Sequence, residues 1–101
     1  MNLRYTPQAI LDLEEIEAYI RDVLYNPDAA IRIITSIAQD ASRLKENPYL
    51  GFDLSAKTGQ DVKGRGLVSG KYLIIYDVDA CVSILRILDT RVDYLRMIGT
   101  W

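Results

Sequence analysis

From Pro7 onward, hydrophobic residues recur at helical spacing: Ile10, Leu13, Ile16, Ile20 and Val23. Asp12, Glu14, Glu15, Glu17, Arg21 and Asp22 fill the remaining positions, so the pattern predicts an amphipathic helix with an acidic outer face. Thr6-Pro7 marks its start, a hydroxyl that can cap free N–H groups and a proline whose missing N–H is harmless there. Asn26-Pro27 repeats the device. The first helix therefore ends near Leu24, and a second turns Ala30, Ile34, Ile37, Ala41 and Leu44 inward. Asn47-Pro48 closes that helix, because the residue before a proline disfavours helical backbone. Two amphipathic helices with so short a link form an antiparallel hairpin.

Beyond Pro48 the texture changes. Gly51, Gly59, Gly64, Gly66 and Gly70 mix with Lys57, Lys63, Arg65 and Lys71, which reads as loops and short strands of positive local charge. Residues 72–78 and 82–88 are β-branched and aromatic runs separated by Asp79-Ala80-Cys81, the signature of a β-hairpin. Leu67-Val68 fits a preceding strand and residues 2–5 a short opening one. Alternation would put Val82, Ile84, Arg86 and Leu88 on one strand face, with Ser83, Leu85 and Ile87 on the other. Residues 91–98 have room for one or two turns of helix. Helices followed by strands predict an α+β fold. An N-terminal strand and a helical hairpin pack on one face of an antiparallel β-sheet, and a short C-terminal helix follows.

Composition narrows the chemistry. The chain of 101 residues is one domain, residues 1–101, with 50% hydrophobic and 26% charged positions, a globular balance. No histidine is present, which removes the usual general base and metal ligand. Cys81 is the single cysteine, so an internal disulfide and a thiolate metal site are excluded, and its apolar neighbourhood predicts a buried, inert thiol. No metal and no cofactor is expected. Neither a signal-peptide core nor a membrane-spanning apolar run occurs, which predicts a cytoplasmic protein without membrane contact. The net charge of −2 has the wrong sign for a surface that lives on nucleic acid.

Four stretches carry a family resemblance that spans nearly the whole chain. Thr6-Pro7-Gln8-Ala9 with Asp12-Leu13 resembles the S/T-P-x-A-x-x-D-L opening helix of the RelE/ParE superfamily of type II toxin–antitoxin toxins. Asn47-Pro48-Tyr49-Leu50-Gly51 resembles its L-x-x-x-P-x-x-G turn at the end of the second helix, and Tyr72-Leu73-Ile74-Ile75-Tyr76 its Y-x-x-x-Y strand. Residues 84–94 resemble its closing strand and R-x-D exit, here Arg91-Val92-Asp93. The resemblance implies a growth-arresting toxin of the plasmid-stabilisation type, neutralised by a cognate antitoxin that wraps the helical hairpin and the sheet. Operator DNA would be met only through the antitoxin complex.

Two activities occur in such proteins. Ribosome-dependent mRNA endonucleases surround the scissile phosphate with cations, one just after the first aromatic of the Y-x-x-x-Y strand and one beyond the last strand. Here those positions are Leu73 and Asp89, which cannot stabilise a phosphorane. The resemblance therefore favours the ParE-like branch, which holds a protein target, DNA gyrase, instead of catalysing a reaction. Arg65, Arg86, Arg91 and Tyr94 are the candidate target contacts. In the alternative, an endoribonuclease acting on ribosome-bound mRNA, Arg65 and Arg86 would serve as phosphate cations and Tyr94 would stack on a base. A third reading is an inactive relative with a regulatory or decoy role. Arg86 interrupts an apolar strand, so it either sits on an open functional face or pairs with an acid such as Asp77 or Asp89. Lys63 and Lys71 read as solvated loop charges. Arg91 with Asp93 would tether the strand exit, and Trp101 either caps the core or meets a partner.

Overall fold

A computed structural model describes residues 1–91, 94–97 and 100–101, with the side chains of Tyr94 and Leu95 outside the description. Strand β1 (Leu3–Tyr5) leads into helix α1 (Pro7–Ala18), a π-helical turn (Tyr19–Val23) and helix α2 (Pro27–Ser42). Strand β2 (Phe52–Asp53), a short helix α3 (Leu54–Thr58) and strands β3 (Arg65–Ser69), β4 (Tyr72–Val78) and β5 (Val82–Asp89) follow, and a 3₁₀ turn covers Tyr94–Met97. The α+β architecture is as expected, two helices on a five-stranded sheet of order β1-β5-β4-β3-β2. All pairings are antiparallel except β1 with β5, which run parallel at one edge.

Both predicted caps form. Thr6 Oγ1 accepts from the Ala9 N–H at 3.2 Å, and Asn26 Oδ1 accepts from the Ala29 N–H at 3.1 Å. The buried face of α1 nevertheless differs from the expected stripe. Ala9, Asp12 and Ile20 are buried, whereas Ile10 is 45% and Val23 57% exposed. Asp12 was expected on the acidic outer face; it lies inward because β5 offers it donors described below. Val23 turns outward because the π turn carries an extra residue and breaks helical periodicity after Ile20.

Residues 54–58, expected as loop or strand, form a helical turn. Asp53 Oδ1 caps it through the Ser55 and Ala56 N–H groups, and five residues are too few to show a period. Between β3 and β4 the link is the two residues Gly70 and Lys71, with Gly70 at φ 59°, which a side chain there would resist.

One core lies between helices and sheet, built from Ala9, Ile37, Ala41, Leu44, Ile74, Tyr76, Val82, Ile84 and Ile87. A second lies on the opposite face, where Leu54, Val62, Leu73, Ile75 and Leu88 gather with Phe52, Leu85, Met97 and Trp101 packed against them. The sheet is thus covered on both faces, the second by α3 and the C-terminal segment. Trp101 is half-buried there, its Nε1 3.4 Å from the Lys63 carbonyl oxygen, which is the core-capping outcome.

Strict alternation fails in β5. The register slips between Ile75 and Tyr76, opposite Arg86 and Ile84, so Leu85 is the extra residue of a bulge. Ile87 consequently joins Val82 and Ile84 in the first core, and Leu88 moves to the second. Cys81 sits in the β4–β5 turn and is half-buried rather than buried, its Sγ 3.8 Å from Ser83 Oγ. Placement in a turn, outside the strand pairing, accounts for the difference.

Candidate functional site

Three of the four candidate contacts lie in three different settings. Arg65 pairs in register with Tyr76 and Arg86 with Ile75, neighbouring rungs on β4. Their side chains then diverge.

Arg86 meets Asp12, which was on neither side of the Asp77 and Asp89 alternative. Its Nε donates to Asp12 Oδ2 at 2.9 Å and its Nη2 to Oδ1 at 3.2 Å. The bulge leaves the Ile87 N–H free to donate to Asp12 Oδ2 at 2.9 Å, and Gln8 Nε2 donates to Oδ1 at 3.1 Å. Side-chain exposure is 5% for Asp12 and 15% for Arg86. Four donors converge on one buried carboxylate, which is how an ion pair is tolerated away from water. Asp12 was missed as a partner, although its place in the opening-helix motif was a signal.

Arg65 secures the turn after α2. Its Nη2 donates to the Gly51 carbonyl at 2.6 Å and the Tyr49 carbonyl at 3.3 Å, and its guanidinium stands 5.3 Å from the centre of the Tyr49 ring. Nε of Arg65 is buried without a hydrogen-bond partner among the described residues. The Gly51 N–H donates to the buried Tyr76 hydroxyl at 2.9 Å. A Cβ at Gly51 would fall 2.3 Å from the Gly66 carbonyl oxygen, so glycine is required for close approach.

Arg91 lies at the exit of β5 and is exposed. Its Nε donates to Asp89 Oδ1 at 3.0 Å, its Nη2 to Oδ2 at 2.6 Å, and its backbone N–H to Oδ1 at 2.9 Å. These bonds hold the Asp89 carboxyl at about 2, below its ordinary value of 3.8. The expected Arg91–Asp93 tether and the Tyr94 side chain fall outside the described residues. Lys63, read as a solvated charge, is exposed and approaches Asp77 at 3.1 Å.

Arg91 also lines a groove of about 600 Å³, which no motif announced. Tyr19, Ile20 and Leu24 come from the end of the first helical segment, and Arg32, Ile33 and Ile37 from α2. Lys71, Tyr72 and Asp89 close the opposite side. The walls are tied together: Ser69 Oγ donates to Asp40 Oδ2 at 2.6 Å, and the Thr90 N–H donates to the Lys71 carbonyl at 2.9 Å. Partial burial, and then the Asp89 carboxylate, raise the Tyr72 phenol above its ordinary value, so it remains a neutral donor. Among the described residues no cluster of metal-ligating side chains occurs, and no helix is long and apolar enough to cross a membrane.

A helical hairpin on a mixed sheet, with an ion pair locking α1 to β5 and a groove beside them, defines a small α+β protein. The sequence matches the family described as the ParE toxin of the type II toxin–antitoxin system, parDE, over residues 3–94, and the chain belongs to that family. Among solved structures it is similar to a chain of the chromosomal ParDE toxin–antitoxin system from P. aeruginosa. The TM-score is 0.73 at 24% identity, over 88% of this chain and 95% of that chain, a likeness of fold. No curated protein sequence matches it.

Proposed function

We propose that this ParE-family toxin arrests growth by gripping a protein target, DNA gyrase, and that a cognate antitoxin in the same cytoplasm neutralises it. The observation that supports this reading is the prior commitment of the two cations a nuclease would need. Arg86 is bound to Asp12, and Arg65 to the carbonyls of the Tyr49–Gly51 turn. Drawing either toward a scissile phosphate would strand a buried carboxylate or loosen a turn. At the family's nuclease positions, Leu73 is buried at 2% exposure and Asp89 places negative charge where a phosphate would need the opposite. Arg91 remains exposed and suits contact with a protein surface, through a planar fork that reads carboxylates.

The test is induction in a susceptible bacterium without antitoxin, with a DNA-damage reporter and RNA cleavage read in one culture. Damage signalling with intact mRNA is the expected outcome. Cleavage within translated codons would overturn it in favour of a ribosome-dependent endonuclease. Undisturbed growth at high expression would leave only the inactive relative.

A further inference from the structure

We propose that Tyr49 is a ring by which the protein grips its target, seated in an apolar pocket of a protein surface rimmed by carboxylates, and that Arg65 is the positioning residue that holds the ring ready. The proposal rests on the protein-target reading above and goes further, naming a contact residue, the part Arg65 plays and the chemistry of the surface they meet.

Residues 47–50 form a turn closed by the Leu50 N–H on the Asn47 carbonyl at 3.1 Å, with Pro48 at the position whose φ proline presets. Leu44 before the turn is buried, and Leu50 at its end packs against the first core. Tyr49 between them is 66% exposed. A single exposed aromatic is ordinary; the number of contacts that fix this one is not. Arg65 Nη2 donates to the Tyr49 carbonyl and the Gly51 carbonyl, and the same guanidinium lies 5.3 Å from the centre of the Tyr49 ring. From the other side the Gly51 N–H is held by the buried Tyr76 hydroxyl. Arg65 Nε is left buried without a hydrogen-bond partner among the described residues, a state native proteins seldom tolerate. Reaching both carbonyls while lying against the ring accounts for it.

These contacts decide what the site can take. Both hydrogens of Arg65 Nη2 are occupied and Nε is buried, so neither two-nitrogen edge is open to fork a phosphate. What Arg65 offers outward is its charge and a ring already in place. A tyrosine has few rotatable bonds to freeze, and one ordered beforehand loses less on docking. Its surroundings are basic: Arg43 and Lys45 are exposed in the preceding turn of helix, and Glu46 is the only acid among residues 43–52. An apolar pocket edged by carboxylates matches that ring and that field, whereas the chain's net charge of −2 suits no nucleic acid. The site is also separate from the groove. Arg65 opens β3 and Ser69, which lines the groove, ends it, ~13 Å away along the strand.

The experiment titrates the full-length chain against purified DNA gyrase holoenzyme and follows folding by thermal melts. Tyr49→Ala should bind at least about tenfold more weakly, the loss typical of a central aromatic contact, with a melting midpoint close to that of the wild type. Tyr49→Phe, which restores the ring without the hydroxyl, should recover that loss. Arg65→Lys keeps the charge and lacks the plane that lies against the ring. It should weaken binding severalfold when Tyr49 is present and add nothing to Tyr49→Ala, a coupling that a merely structural arginine would not give.

Unchanged gyrase binding by Tyr49→Ala overturns this proposal and leaves the gyrase reading standing. Losses that add independently would overturn the positioning part of Arg65, and the two Tyr49 variants decide the contact even where Arg65→Lys fails to fold. An oligonucleotide that binds the wild type and loses affinity with Tyr49→Ala would overturn the choice of a protein partner. Loss confined to the polypeptide encoded by the neighbouring gene, with gyrase binding intact, would overturn the choice of the target. A wild-type chain that does not bind gyrase brings down this proposal together with the reading it rests on.

Discussion

Strand β5 takes part in two aspartate–arginine pairs that share a chemistry and differ in setting. Arg86 near its middle meets Asp12, with side chains 15% and 5% exposed; Asp89 at its end meets Arg91, 22% and 73% exposed. The first pair joins residues 74 positions apart and ties α1 to the sheet, and the second joins residues two apart and ties a strand end to itself. Water decides the difference. A desolvated carboxylate has no alternative to its partners, so losing one leaves an uncompensated charge. An exposed partner such as Arg91 can trade its carboxylate for solvent. The same pairing thus serves as a buried joint between elements in one place and as a solvent-open contact in the other.

The largest effect expected follows from breaking the joint. Removing one partner of a buried pair costs about 3–5 kcal/mol, a large share of the roughly 5–15 kcal/mol that holds such a domain together. Arg86→Ala, which leaves Asp12 buried and partly unpaired, should therefore lower the thermal midpoint by more than about 12 °C, at 4–8 °C per kcal/mol. Replacing both partners with leucine and methionine should recover only part of that loss: apolar residues carry no charge to bury, but the Ile87 N–H is left without its acceptor at a cost of about 1–3 kcal/mol. Melts of the single and double variants read this directly. A loss below about 1 kcal/mol for the single variant would mean that the buried pair behaves like the exposed one.

A neutral buried bond calibrates the contrast. Tyr76→Phe removes the hydroxyl that accepts from the Gly51 N–H at 2.9 Å and leaves that donor buried without a partner. The cost should be about 1–3 kcal/mol in chemical denaturation, below that of the ion pair because no charge is stranded. A cost equal to that of Arg86→Ala would show that burial alone, and not charge, sets the scale.

How legible each region was in the sequence follows the same division between local and distant causes. The caps at Thr6 and Asn26 and the β4–β5 hairpin depend on residues a few positions apart, and all three were readable. The Asp12–Arg86 joint was not, because helical periodicity assigned Asp12 to the solvent face. Only the bulge at Leu85, which frees the Ile87 N–H, makes the inward position favourable. A bulge leaves no mark on an alternating apolar run. The groove was equally hidden, since Arg32, Lys71 and Arg91 come from α2, a hairpin turn and a strand exit that meet only after folding. Arg91 and Asp89 were each noticed, one as a contact and the other as a missing cation, without their pairing being seen. The parallel β1–β5 edge was hidden for a related reason: a three-residue strand carries no information about its direction.

The smallest effect concerns the solvent-open pair and is measured by titration. Hydrogen bonds from the Arg91 side chain, and then from its backbone, hold the Asp89 carboxyl at about 2. In the unfolded chain an aspartate titrates at about 3.9. A folded value depressed in this way stabilises the native state above the unfolded value and loses that contribution as pH falls from about 4 toward 2. Because Arg91 is 73% exposed and solvent screens its charge, the contribution should be a few tenths of a kcal/mol, up to about 1. Carboxyl NMR on the wild type should place the Asp89 midpoint near 2, and Arg91→Ala should return it toward the ordinary range. High salt should raise the wild-type midpoint while leaving the Arg86→Ala stability loss almost unchanged, since screening acts on exposed charges and spares buried ones. If salt weakened the two pairs equally, solvent access would not distinguish them.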